Sequence, residues 1–243
     1  MARFQRSLVL TPLTRPWLDR AVSLAYEVLT EFLGGSELPL VAGESLAPGA
    51  TYRSPEGRTT VRLDAYGHDT VIEGQVEIID DDTASGMNAR LDSASAPRVV
   101  ELAGRLQMPH GPLSSSDVTW AAQVDLDRWG VGEQAAVTGW LHHRFGHVTT
   151  DATCARAGDG RWQVTICFTL RGVGLLRPIA FPALLFMRAR VRQEAARYLT
   201  TFAQQWNDRV PALVALPEDE LRAELRAELR AALFNGARGP MTR

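Results

Sequence analysis

Two histidines, His143 and His147, stand four residues apart in the stretch Ala136–Val148, on the same alternation as Val137, Leu141 and Phe145. A histidine on the apolar phase of a strand faces an interior, where its imidazole can take or give a proton near neutral pH. His143 and His147 are therefore the candidate catalytic pair. The plainer alternative is a pair of satisfied core histidines, or histidines where the strand emerges into solvent. His142 and Arg144 share the opposite phase with Trp140, and a bulge would turn that set inward instead.

Other chemistries have less support. Along one strand His143 and His147 would lie about 13 Å apart, and two ligands fall short of the three or four that a metal site requires. No metal and no cofactor are expected. The 26 basic residues are all arginine. Without lysine there is no Schiff base, no lysine-bound pyridoxal cofactor and no lysine-bearing phosphate loop. Ser114-Ser115-Ser116 lacks the glycine-flanked elbow of a nucleophilic serine and reads as a solvated loop. Cys154 and Cys167 fall in neighbouring expected strands without CxxC spacing, which favours free thiols over a disulfide, zinc or a redox pair.

Aromatic residues supply a second kind of chemistry, the binding of a flat or apolar molecule. Trp120, Trp162, Tyr198 and Phe202, with Leu141 and Phe145, are the candidate ligand-binding residues, and Trp206 is expected in the same interior. The alternative is that they only fill a core.

The elements that would position these side chains are legible from periodicity. Phe4–Leu10 reads as a strand, and Thr14, as N-cap, opens a helix that carries Trp17, Leu18, Ala21, Val22, Ala25, Val28, Leu29 and Phe32 to Gly34-Gly35. Ser36–Arg58 is rich in proline and glycine. This segment and Pro109–Asp117 are the candidate lids. Alternating strands are then expected near 61–65, 72–78, 87–92, 99–108, 118–126, 136–148, 149–156 and 162–171, with Gly158-Asp159-Gly160 as a hairpin turn. A second helix enters past Pro178 and Pro182, its apolar stripe formed by Leu184, Met187, Val191, Ala195, Tyr198, Phe202 and Trp206. Ile179–Met187, followed by Arg188, Arg190 and Arg192, offers an interfacial anchor as one reading and a buried helix start as the plainer one. Leu221, Leu225, Leu229 and Leu233 repeat every four residues on a last helix.

With 243 residues, 45% of them hydrophobic, the chain can bury a full core, and the expected division is one domain over 1–216 and a helical tail with a disordered end over 217–243. A net charge of −2 without a basic run argues against nucleic-acid binding. No apolar stretch approaches the length that spans a bilayer, and the start lacks a signal-peptide pattern, so the expected location is cytoplasmic.

Strand, helix, antiparallel strands and a long C-terminal helix, with Glu73–Ile78 in an early strand and Arg171–Pro178 leading into the helix, resemble the helix-grip architecture of the START-like superfamily, which includes polyketide cyclases and lipid-transfer domains. That resemblance implies an α+β fold, a curved antiparallel sheet gripping the long helix around a cavity. About eight central strands instead of six keep a lipocalin-like closed β-barrel with a C-terminal helix open as the alternative. Three functions follow: a cyclase-like enzyme that shapes a polyketide-type substrate for ring closure, a non-catalytic carrier of a lipid or other apolar ligand, and an interaction protein using Leu221–Leu233 for a homodimer or a partner helix.

Overall fold

The computed structural model describes residues 2–34, 48–49, 51–53, 59–79, 84–107, 117–132, 134–144, 146–172 and 177–234. Their elements, in chain order, are β1 (Ala2–Leu10), α1 (Arg15–Gly34), β2 (Thr51–Arg53), β3 (Thr59–Ala65), β4 (Ile72–Ile79), β5 (Ala84–Leu91), β6 (Val99–Gln107), β7 (Asp117–Asp125), β8 (Ala135–His143), β9 (Gly146–Arg156), β10 (Trp162–Gly172), α2 (Arg177–Ala215) and α3 (Glu218–Phe234). They fall into two compact units: Met1–Leu13 with Ser116–Ala215, and Thr14–Ser115 with Leu216–Arg243.

In the first unit the strands run in the order β1-β10-β9-β8-β7, antiparallel, with α2 laid on β1 and β10. Alternation decides which face is dry. Leu8 and Leu10 on β1, Ala152 and Cys154 on β9, and Trp162 and Val164 on β10 are all buried on one face, and Leu199, Ala203 and Trp206 of α2 pack against them. The second unit has the order β2-β3-β4-β5-β6, also antiparallel, with α1 and α3 packed together. Leu24 and Val28 of α1 are buried there, as are Leu63 and Ala94. The Thr14 hydroxyl accepts from the Trp17 amide, so Thr14 is the N-cap of α1.

This is the α+β class, antiparallel strands with a long helix near the C-terminus. Strand β1 pairs only with β10 and β2 only with β3, so the described ladders do not close into a lipocalin-like barrel. No described helix is long and apolar enough to cross a membrane. Both cysteines are free, Cys154 buried and Cys167 half-buried.

The structure corrects the strand expected over 136–148. It ends at His143, and β9 begins at Gly146, with His142 opposite His147 and His143 opposite Gly146. Because opposed residue numbers in this hairpin sum to an odd value, odd-numbered positions on β8 share a face with even-numbered positions on β9. The run of odd-numbered apolar residues and histidines reads straight through the turn and so hides it. A register shift at Ala135/Val137 adds a bulge at the start of β8.

The buried stripe of α2 also differs by one residue from expectation. Leu199, Ala203 and Trp206 meet the sheet and Val210 is 6% exposed, whereas Tyr198 is 76% exposed. Helix α3 lies on α1 within its unit. Leu221 is buried, and Arg222 pairs with Glu27 at 2.5 Å and with Glu31 at 2.7 Å, while Arg226 also bonds Glu31.

Candidate functional site

The helix-bearing face of the first unit can be followed row by row across its ladders. Leu8, Val164 and Cys154 are neighbours in one buried row, and Ile166, Ala152, Val137 and Val124 make the next. Then come Phe4, Phe168, Thr150, Gly139 and Ala122, and after them Leu170, Val148, Leu141 and Trp120. Exposure grows along this direction, from Cys154 at 0% to Leu141 at 38%. The closed end is a packed core and the other end is an apolar surface left partly open.

The closed end is built tightly. Trp162 meets Trp129 edge to face, with centroids 5.5 Å apart. Gly130, at φ 86°, sits where a Cβ would come within 3.6 Å of Trp162 Nε1, so the turn carrying Trp129 passes close to the indole in a conformation that glycine adopts freely. Burial pushes the Cys154 thiol above its ordinary value, partly offset by a hydrogen bond from the Gly130 backbone. The helix is pinned at this end by Trp206, whose indole N–H donates to the Thr11 carbonyl at 2.9 Å.

At the open end Phe4 and Phe168 stack at 4.9 Å and 22°, and Trp120 and Leu141 are direct cross-strand partners. His143 lies one row further, opposite Gly146, on this same face. The sheet therefore offers an apolar strip with one imidazole at its rim. Such a strip can hold a flat or chain-like apolar molecule, and the imidazole can bond or exchange a proton with a polar atom at that molecule's end.

Of the residues singled out from sequence, Trp120, Leu141 and His143 come together on this strip. Trp162 belongs to the packed core. Phe202 is 41% exposed and leans on Trp206, with centroids 5.9 Å apart, and Tyr198 stands on the solvent side of α2. His147 lies on the opposite face of the sheet, stacked on Trp140 at 6.3 Å and 6.0 Å from the ring of His142. Phe145 lies outside the described residues, as do nearly all of the two candidate lids and the side chains of Ile179–Met187. Phe4, Val148, Phe168 and Leu170 were missed as site residues, although Phe168 and Leu170 stand in the clear alternation Arg161–Leu170. Only strand order places them beside Trp120. Among the described residues no group of three or more His, Cys, Asp or Glu side chains could hold a metal ion.

No family model matches this chain, and no curated protein does. Among solved structures it is similar to Ara h 8.0201, at 12% identity over 87% of this chain and 98% of that one, with a TM-score of 0.27. A second similar structure is the Zhui aromatase/cyclase from Streptomyces sp. R1128, at 13% identity over 95% and 97% of the two chains, with a TM-score of 0.22. Overlaps this loose leave the architecture to rest on the strands and helices described above.

Proposed function

We propose that this chain is a hydrophobic small-molecule pocket protein of cyclase-like activity, shaping a polyketide-type substrate for ring closure on the helix-bearing face of its first unit. The observation that carries this reading is the strip Phe4, Phe168, Leu170, Val148, Leu141 and Trp120, which continues a dry core yet is itself only half-buried, with His143 at its end. Holding reacting carbons in a near-attack geometry is worth several kcal/mol, and a rim imidazole suits enolisation or loss of water at a polar terminus. His143 is the proton-transfer residue in this reading; His147 has no part in it.

Carriage of an apolar ligand without chemistry is the second reading, favoured by the presence, among the described residues, of one histidine on this face instead of two. Docking of a partner through Leu221–Leu233 has less support, since Leu221 is buried and Arg222 and Arg226 are engaged with α1. Native mass spectrometry of the purified chain tests the shared premise. A co-purifying apolar molecule, displaced when Leu141 is changed to arginine, is expected. A chain that takes up neither an endogenous ligand nor an added polycyclic aromatic or acyl probe excludes both pocket readings.

A further inference from the structure

The second unit holds a serine, a histidine and an aspartate in relay order, with Ser23 45 residues away from the adjacent pair His68 and Asp69. Ser23, on α1, has its hydroxyl oxygen 3.3 Å from Nε2 of His68 in the β3–β4 turn, and Nδ1 of His68 is 3.0 Å from Oδ1 of Asp69. The histidine is held from several sides. Its carbonyl accepts from the amides of Ala94 and Ser95 at 3.0 and 3.1 Å, and its ring meets Tyr26 edge-on at 5.3 Å. Tyr26 in turn stacks on Tyr66 at 4.8 Å, and the Tyr66 hydroxyl bonds Thr30 at 2.6 Å. Asp69 is kept ionised below the usual carboxylate range by hydrogen bonds from Ser95 and His68. Its ionised oxygen beside Nδ1 favours the tautomer with the proton on Nδ1, which leaves Nε2 free to accept from Ser23.

We propose that Ser23 is a nucleophile activated by His68, forming an acyl-transfer site for small activated esters, distinct in chemistry from the apolar strip. Ser23 and His68 are its catalytic residues and Asp69 is a positioning residue. The step balances without an outside oxidant or reductant. As the Ser23 oxygen bonds to the ester carbonyl carbon, its proton passes to Nε2. When the carbon–oxygen bond to the leaving group breaks, that proton goes to the departing oxygen. Water then repeats the sequence against the acyl-serine, releasing the acid and restoring the hydroxyl. The paired rings of Tyr26 and Tyr66 beside His68 give an aryl or short acyl group a flat wall, and the half-exposed imidazole is within reach of solvent-borne ester, with a side-chain exposure of 42%. A histidine that merely ties the β3–β4 turn to α1 would give the same stability without reactivity at Ser23.

A fluorophosphonate probe on the full chain separates the two. The wild type is expected to label once, at Ser23 by peptide mass, with a rate that falls in acid. S23A is expected not to label. H68Q, which keeps a hydrogen-bonding side chain but no base, should label about 100-fold more slowly or worse and lose the acid dependence, and D69N should show a smaller loss. p-Nitrophenyl acetate should give a burst of nitrophenol from the wild type but not from S23A. Circular dichroism checks that each variant is folded. A folded wild type inert to the probe, labelling that persists in S23A, or an unchanged rate in H68Q each overturns the proposal.

Discussion

Asn207 holds the end of β1 with both ends of its amide: Oδ1 accepts from the Thr11 amide at 2.7 Å and from the Thr11 hydroxyl at 3.1 Å, and Nδ2 donates to the Val9 carbonyl at 2.9 Å. With the Trp206 indole on the Thr11 carbonyl, two successive residues of α2 satisfy the backbone where β1 leaves its ladder. Truncation strands a part-buried amide. N207A is expected to lower stability by about 1–3 kcal/mol, read as a shift in urea midpoint. N207D, which keeps the acceptor toward Thr11 and loses the donor toward Val9, should fall between N207A and wild type.

This contact also marks what periodicity can and cannot reveal. The alternation Arg161–Leu170 and the Gly158-Asp159-Gly160 turn were readable because each residue's face follows from its neighbours two away. Gly160 has the positive φ, 79°, that such a turn requires. The α2 stripe was misread by one residue because large side chains, Tyr198 and Phe202, outweighed Ala203, a small residue that allows close approach of the helix to the sheet. The β8–β9 hairpin was hidden because its turn changes which parity faces inward. No local pattern could have joined Ser23 to His68, since that contact depends on α1 lying over the β3–β4 turn.

The two thiols should separate cleanly in reactivity. Cys154 is fully buried and its thiol is pushed up by burial, so alkylation by iodoacetamide in the native state should reach Cys167 first and Cys154 only on unfolding. The same shift predicts a pH effect. Above about pH 8.5, the ordinary thiol range, the unfolded chain gives up the Cys154 proton before the folded chain does. Unfolding then becomes easier as pH rises. C154A, though weaker overall for its small cavity, should lose that part of the alkaline decline, and equal alkaline slopes in the two proteins would refute the assignment.

Helix α3 is expected to depend on charge for its hold on α1. Arg222 bridges Glu27 and Glu31, whose side chains are half exposed, and its own proton is held more firmly by these carboxylates. Exposed pairs are screened by salt. R222A with R226A should therefore speed amide exchange across α3 while leaving the sheet amides unchanged, and high salt should do the same to the wild type in part. If α3 protection is unchanged in the double variant, the buried Leu221 contact alone is sufficient.

The apolar strip yields the prediction that divides enzyme from carrier. Burying a leucine side chain is worth about 1.5–3 kcal/mol, roughly a ten- to hundredfold change in affinity, and Leu141 is only partly covered within the chain. L141R places a charge in the row beside Trp120 and should weaken binding of an apolar fluorophore by at least about tenfold, with little change in thermal midpoint because the position is half-exposed. H143F replaces the rim imidazole with a ring that cannot titrate. It should bind the same fluorophore as well as wild type does. With a substrate identified by mass spectrometry, loss of turnover in H143F at unchanged binding marks proton transfer by His143. Full turnover across pH 5 to 8 would leave the shape of the strip as the source of catalysis, and F168A, which removes the ring stacked on Phe4, should then change which product forms.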